Sequence, residues 1–569
     1  MKTSKKINNN ELSKKDINKT VTLFGWVANK RRFGELTFID LRDRYGITQC
    51  VFNKDIKLTK ETCLSITGKV VLRKEKNPNL KTGDIEVLVN KYEIFSNSLD
   101  LPFPIRDDVE LKEDTRLRNR FLDLRRPIMQ KNIILKAKFN NAIRTFMEQN
   151  GFLDIETPML AKSTPEGARD YLVPTRNYNE FFALPQSPQL FKQLLMASGF
   201  ERYYQFARCF RDEDGRKDRQ PEFTQLDIET SFWTVEDFQK YIEKLFKYAF
   251  EKIGIKIKTP FLRMKYDDSI RDYGNDKPDI RFGYLLQNIE DCFKNSEFSI
   301  IKNAPSIRML RVDTKIDKKT FNHLEEIAKK NKANILFYFV IENKEIILTN
   351  FANKTPNEIK NILEKNNYQD GSYFIVANKY ENASQALSAV RNELNAIYHY
   401  ANNDEYKFLW ITDWPMFEYD EENNKWSAAH HPFTQFDHNF EDLDKLEMKD
   451  IRAKSYDLVL NGFELGSGSA RIYNKQVQEK MFNLIGMSEA EQQSKFGFFL
   501  KAFDYGLPPH CGIGLGIDRL IMILTKQETI RDVIPFPKNA KGQDVFTNAP
   551  SGVTKEQLDD LFIVLKNQE

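Results

Sequence analysis

Between residues 20 and 95 the apolar positions recur at every second residue. Val21, Leu23 and Gly25 alternate with Thr22 and Phe24 before Trp26, and short apolar runs follow at 36–41, 47–51, 64–71 and 85–95. A period of two marks strands with one buried face. The separators Phe33-Gly34, Tyr45-Gly46, Asn77-Pro78-Asn79 and Thr82-Gly83 carry turn chemistry. Five strands joined this way predict a small β-barrel. Residues 102–108 then lose all periodicity. Beyond them the period lengthens: Leu135, Phe139, Ile143 and Phe146 share one face of a helix predicted over 131–150, with Gly151 placed for a C-terminal cap. A second helix is predicted from the cap Thr234 through Phe238, Ile242, Leu245, Phe246 and Phe250 to Gly254.

The five-stranded pattern points to an OB-fold, a barrel that often binds single-stranded nucleic acid. From about 280 to 410 Lys and Asn are frequent, Gly is scarce and no motif stands out, which reads as an inserted α+β domain. The expected organisation is multidomain: an OB-fold at 1–104, a hinge at 105–130, a catalytic domain in two parts at 131–279 and 411–569, and the insert at 280–410. Of the 569 residues, 41% are hydrophobic and 30% charged, ordinary for a globular protein. No apolar run approaches the roughly 20 residues of a membrane span. The Lys- and Asn-rich start lacks the apolar core of a secretory signal, so a cytoplasmic protein is expected. The five cysteines are scattered without a C-x-x-C pair, which argues against a disulfide framework or a zinc site. The net charge of +4 says little, but Lys2 to Arg32 is locally basic, as a polyanionic partner would require.

Three stretches carry chemistry. Arg211 begins a charged loop that runs through Asp212, Glu213 and Gln220 to Phe223, offering arginines for phosphate and a ring for a base. Gly512-Ile513-Gly514-Leu515-Gly516-Ile517-Asp518-Arg519 places glycines at alternate positions before a helix, and matches neither a dinucleotide fingerprint nor a P-loop. Residues 456–469 alternate polar and apolar side chains and read as a strand with Asp457 and Glu464 near its ends, two carboxylates suited to Mg²⁺.

Together these stretches resemble the class II aminoacyl-tRNA synthetases. Gly151-Phe152-Leu153-Asp154-Ile155-Glu156-Thr157-Pro158 is similar to motif 1, residues 211–223 to motif 2 and 514–519 to motif 3. With the barrel, they look like subclass IIb. Thr164-Pro165-Glu166-Gly167-Ala168-Arg169-Asp170-Tyr171, Gln186-Ser187-Pro188-Gln189-Leu190-Phe191-Lys192 and Ala429-His430-His431-Pro432-Phe433-Thr434 resemble the bacterial-type aspartyl branch. The resemblance implies a class II α+β catalytic domain with an antiparallel sheet. It implies an aspartate–tRNA ligase using ATP, L-aspartate and tRNA(Asp), and a homodimer. It assigns catalysis to Arg211, Glu464 and Arg519, and ATP to Arg211, Asp212, Glu213, Gln220, Phe223, Glu464, Gly516, Ile517, Asp518 and Arg519. Aspartate falls to Glu166, Ser187, Gln189, Lys192, Arg211, Asp227, His430, His431 and Arg471, and Mg²⁺ to Asp457 and Glu464. On the barrel, Phe38 would stack on an anticodon base while Arg31 and Gln49 read base edges. The chain departs from the usual bacterial pattern at Arg32 and Phe33, where an Asp and a His or Leu are expected. That departure leaves open whether tRNA(Asn) is charged as well.

Overall fold

The computed structural model describes residues 7–164, 167–420 and 423–566. These fall into two compact units, Met1–Ile134 with Arg531–Ser551, and Leu135–Ile530 with Gly552–Glu569.

The first unit is built on a closed barrel of β1 (Thr20–Phe33), β2 (Leu36–Arg42), β3 (Ile47–Phe52), β4 (Cys63–Leu72) and β5 (Ile85–Ser96), in the order β1-β2-β3-β5-β4. The alternation does what it predicts: Leu23, Val27, Ile39, Leu41, Leu64, Ile66 and Val87 fill the interior. Arg531–Ser551 groups with this unit, not with the second catalytic part to which the sequence reading assigned it. The reason is a buried ion network that hydropathy does not reveal. Asp123 accepts from Arg116, Arg120 and Arg126, and Arg120 reaches on to the carbonyls of Arg531, Ile534 and Pro535.

The second unit begins within α1 (Pro127–Gln149), which starts earlier than the periodicity indicates because a proline suits the first helical turn. Then come β6 (Leu153–Asp154), α2 (Gln189–Ala197), β7 (Arg202–Phe210), β8 (Glu222–Ser231), α3 (Val235–Lys252), β9 (Leu262–Lys265) and α4 (Tyr266–Tyr273). Thr234 caps α3 by accepting from the Asp237 amide at 3.1 Å.

The next stretch holds a sheet of its own, formed by β10 (Leu286–Asn288), β11 (Ser306–Val312), β12 (Phe337–Glu342), β13 (Glu345–Thr349) and β14 (Gly371–Asn378) in the order β10-β11-β14-β12-β13. Helices α5 (Lys318–Lys330), α6 (Pro356–Lys365) and α7 (Tyr380–Tyr398) cover it. Leu310, Val312, Phe374 and Val376 meet α5 and α7, while Met309, Phe339, Tyr373 and Ile375 meet α6. With both faces buried, its strands are almost continuously apolar.

The chain then returns to the first sheet with β15 (Phe408–Thr412), β16 (Ser455–Leu460), β17 (Phe463–Ala470), β18 (His510–Gly516) and α8 (Ile517–Leu524). The eight-stranded order is β9-β15-β16-β17-β18-β8-β7-β6. All pairings are antiparallel except the outermost at each edge. Residues 456–469 are thus not one strand but a hairpin, turning at Asn461-Gly462 with φ of 52° and 86°. Asn-Gly suits a tight turn with both central residues at positive φ. Among the described residues no helix is long and apolar enough to cross a membrane.

Candidate active site

The central strands present a polar face at their middle. On β8, Gln225, Asp227 and Glu229 alternate with the buried Leu226 and Ile228, and they register against Gly516, Gly514 and Gly512 of β18. Gly512 and Gly514 leave no space for a side chain. A Cβ on Gly512 would lie 1.9 Å from Glu229 Oε2, and one on Gly514 would lie 2.0 Å from Gln225 Nε2. The alternating glycines therefore make room for acidic and amide side chains under a cavity of about 390 Å³, within the usual range for small-molecule sites.

One end of this cavity is a buried charge cluster. Lys192, on α2, donates to Asp227 Oδ1 at 2.8 Å and lies 3.6 Å from Glu229 Oε2. Arg471 grips Glu229 through Nε at 2.9 Å and Nη2 at 3.2 Å, and donates from Nη1 to Ser469 Oγ at 2.7 Å. The same Nη1 lies 2.7 Å from His431 Nε2, while the Phe433 amide points at Nδ1 at 3.2 Å. Burial pushes the His431 pKa well below its ordinary value, and the Arg471 charge adds to the effect. His430 is lowered to about 4, mainly by burial and then by Arg471; its Nδ1 sits 3.2 Å from Ser467 Oγ. Burial opposes the charge on Glu229, yet Arg471 and Lys192 hold its pKa below the usual carboxylate value. For Asp227 burial prevails over Lys192 and the pKa rises. Among the described residues Asp227 Oδ2, Gln189 Nε2 and His430 Nε2 are buried without a hydrogen-bond partner. Polar atoms sealed from water at this cost mark the place of a polar ligand.

The other end carries arginines. The Arg211 guanidinium lies 5.3 Å from the Phe223 ring centroid, and its Nε is a buried donor without a partner among the described residues. Arg519 donates to the Glu464 carbonyl at 2.5 Å and pairs with Asp218 at 3.2 Å. Glu213 pairs with Arg219 at 2.5 Å.

Ser187, Gln189, Lys192, Arg211, Glu213, Gln220, Phe223, Asp227, His430, His431, Glu464, Arg471, Gly516, Asp518 and Arg519 all line this one cavity. Asp518 lines it with a carboxylate already engaged by the Thr224 amide at 2.9 Å and by Lys136. Ile517 is buried in the core. Asp212 faces Arg169 at 3.6 Å, outside the cavity lining. Asp457 is buried behind Glu464; burial and then the Glu464 charge drive its pKa well up, and its Oδ1 has no partner among the described residues. Glu166 lies outside the described residues. Sequence reasoning missed Glu229, Gln225 and Asp218. The period-two polar run Gln225, Asp227, Glu229 was the available signal for the first two. On the barrel, Arg31 donates to Gln49 Oε1 at 3.1 Å and to Asp40 at 3.2 Å, and half-buried Phe38 stands opposite Arg31 in the β1–β2 register.

Comparison with known proteins agrees with this geometry. Residues 112–540 match the model of class II tRNA synthetases (D, K and N), and 21–95 match an OB-fold nucleic acid binding domain. The chain is 46% identical to an aspartate–tRNA ligase of Malacoplasma penetrans, over 100% of both chains. It is 47% identical to the aspartate–tRNA ligase of Bacillus licheniformis and 45% identical to an aspartate–tRNA(Asp/Asn) ligase of a Geobacillus species, in each case over 98% of both chains. A solved asparaginyl-tRNA synthetase from Pyrococcus horikoshii shares the fold, with a TM-score of 0.59 at 18% identity over 94% of this chain and 98% of that one. On the fold, the glycine-floored charge cluster and these likenesses, the chain belongs to the class II tRNA synthetases, in their aspartate–tRNA ligase branch.

Proposed function

We propose that the protein activates L-aspartate with ATP, releasing pyrophosphate, and transfers the aspartyl group to the 3′ end of tRNA(Asp) in the cytoplasm. The observation that carries this reading is the cluster of two buried cations, Lys192 and Arg471, backed by two carboxylates of which one, Asp227, keeps an open oxygen. L-Aspartate complements it. Its side-chain carboxylate meets Arg471 and Lys192, and its α-ammonium meets Asp227 Oδ2. Asparagine has nearly the same shape, but its amide would leave the guanidinium poorly paired, and breaking a buried pair costs about 3–5 kcal/mol.

Arg211 then draws the ATP α-phosphate toward the amino acid, Phe223 supports the adenine ring, and Arg519 covers its other face. The α-carboxylate oxygen attacks the α-phosphorus as the bond to the β-phosphate oxygen breaks. That carboxylate is already ionised at neutral pH, so no general base is needed. Positioning and the fixed arginine charges carry the step. Asp457 and Glu464 fit a Mg²⁺ ion accompanying ATP, because the buried Asp457 Oδ1 lacks a partner among the described residues. When bound, that ion neutralises phosphate charge. The barrel face of Arg31, Phe38 and Gln49 receives the anticodon. Exposed apolar residues of the motif 1 region, Leu153, Met159 and Leu160, fit a homodimer contact, which sedimentation would test.

The test is aminoacylation of separate tRNA(Asp) and tRNA(Asn) transcripts with ATP and Mg²⁺. Aspartate on tRNA(Asp) is the expected product. Aspartate on both would extend the substrate range and implicate the loop of Arg32 and Phe33. Asparagine in place of aspartate, or no charging, would overturn the reading.

A further inference from the structure

The inserted module holds two arginines, Arg308 on β11 and Arg391 on α7, that are buried without a carboxylate contact among the described residues. Both are spent on residues 270–284, the stretch that leads from α4 into the inserted sheet. Arg308 donates to the carbonyls of Ile270 and Arg271, the open C-terminal end of α4, and to Ser384 Oγ. A cation there also complements the helix dipole. Gly274 ends α4 at φ 74°, and a Cβ on it would lie 2.2 Å from the Ser384 carbonyl. Arg391 donates to the carbonyls of Asp279, Phe282, Gly283 and Tyr284 at 2.9–3.0 Å, sandwiched between the rings of Tyr273 and Phe282 at 4.9 and 3.9 Å. Burial pulls its pKa down to about 10. The module thus grips residues 270–284 mainly by their backbone carbonyls, with the Tyr273 and Phe282 rings flanking Arg391.

The gripped stretch reaches the active site along two routes. Ile280 packs against the cluster of Leu409, Ile411, Trp414 and Val459, and the Trp414 ring stands edge-on to His430 at 4.9 Å. Asp279 abuts the β16–β17 turn, where a Cβ on Gly462 would lie 3.3 Å from the Asp279 Cβ. Two residues past that glycine, the Glu464 carbonyl takes the Arg519 guanidinium at 2.5 Å. We infer that the inserted module is a positioning element for the ATP end of the site, acting from Arg391 through residues 279–284 and the Gly462 turn to Glu464 and Arg519. The inference rests on the proposed aspartate activation and gives the insert a part in it.

The test uses full-length Arg391→Met, Arg391→Lys and, as a control, Ile362→Ala. Ile362 packs on the opposite face of the inserted sheet, so its truncation weakens the module without touching the 279–284 stretch. Packed networks of this kind carry coupling of about 0.5–2 kcal/mol, so Arg391→Met should lower kcat of aspartate-dependent ATP–pyrophosphate exchange about fivefold. The KM for ATP should rise several-fold while that for aspartate moves less than twofold. Calorimetric ATP binding should weaken in step. Arg391→Lys keeps the charge but loses the four-carbonyl fork, and should show the same split more weakly; it carries the test if the Met variant does not fold. Ile362→Ala should keep wild-type constants despite a lower melting temperature. Equal losses in Arg391→Met and Ile362→Ala, or an unchanged KM for ATP in both Arg391 variants, would overturn the inference. Absence of aspartate-dependent exchange in the wild type would instead sink the functional reading.

Discussion

Arg471 and Arg391 are both fully buried arginines, and they illustrate two uses of the same side chain. Arg471 is held from behind by Glu229 and lines a cavity that contains unpartnered polar atoms. Arg391 is closed over by four carbonyls and two aromatic rings. Carboxylate pairing keeps Arg471 firmly charged, with its pKa raised despite burial, whereas Arg391 lacks that support and its pKa falls. A buried guanidinium held by a carboxylate at the wall of a cavity is a binding site. A buried guanidinium whose hydrogen bonds all go to backbone carbonyls is a fastener. The difference lies in whether the group faces open space or packed chain.

Arg471→Met would sharpen this contrast most. It leaves Glu229 with Lys192 alone, so kcat/KM for aspartate should fall about 10³-fold or more, on the scale of about 3–5 kcal/mol for a broken buried pair. ATP binding by calorimetry should barely change, the reverse of the split expected for Arg391→Met. Equal losses in the two substrates for both arginines would erase the distinction. On the barrel, Phe38→Ala should raise the KM for tRNA by about 5- to 100-fold, as loss of one base stack would, and leave ATP–pyrophosphate exchange untouched. The smallest effect is one of pH. His430 is neutral in the fold, with its pKa lowered to about 4 from 6.5, so the unfolded chain binds the extra proton first as pH falls. Its contribution to stability is complete above about pH 6.5 and is lost as pH falls through about 4. Denaturation at pH 7.5 and pH 5 should differ by about 1–2 kcal/mol from this ring, and His430→Asn should flatten that part of the slope.

Much of the site is legible in the sequence because its chemistry is local. Arg211 and Phe223 bound one loop, Lys192 lies one turn into the helix that Gln189 begins just after Ser187, and Gly516 and Arg519 join strand to helix. The role of Glu229 was not legible. The polar alternation Gln225, Asp227, Glu229 marks it as facing one side of the strand, but its meaning comes only when Arg471, 242 residues away in the chain, closes on it. The Asn461-Gly462 turn was legible in principle, but the polar alternation continues across it, and a period of two does not show where a strand reverses.

Periodicity by itself determined the barrel and the main helices, which depend on contacts close in the chain that alternation and caps encode. The residues expected at the cavity came from motifs that resemble the family. Only the tertiary structure decided that Glu229 backs Arg471, that Arg531–Ser551 joins the N-terminal unit through Arg120, and that the insert grips residues 270–284. Each of these is a charge satisfied by groups distant in sequence, most of them backbone carbonyls. Every residue owns a carbonyl, so the sequence carries no mark of which ones a buried guanidinium will choose.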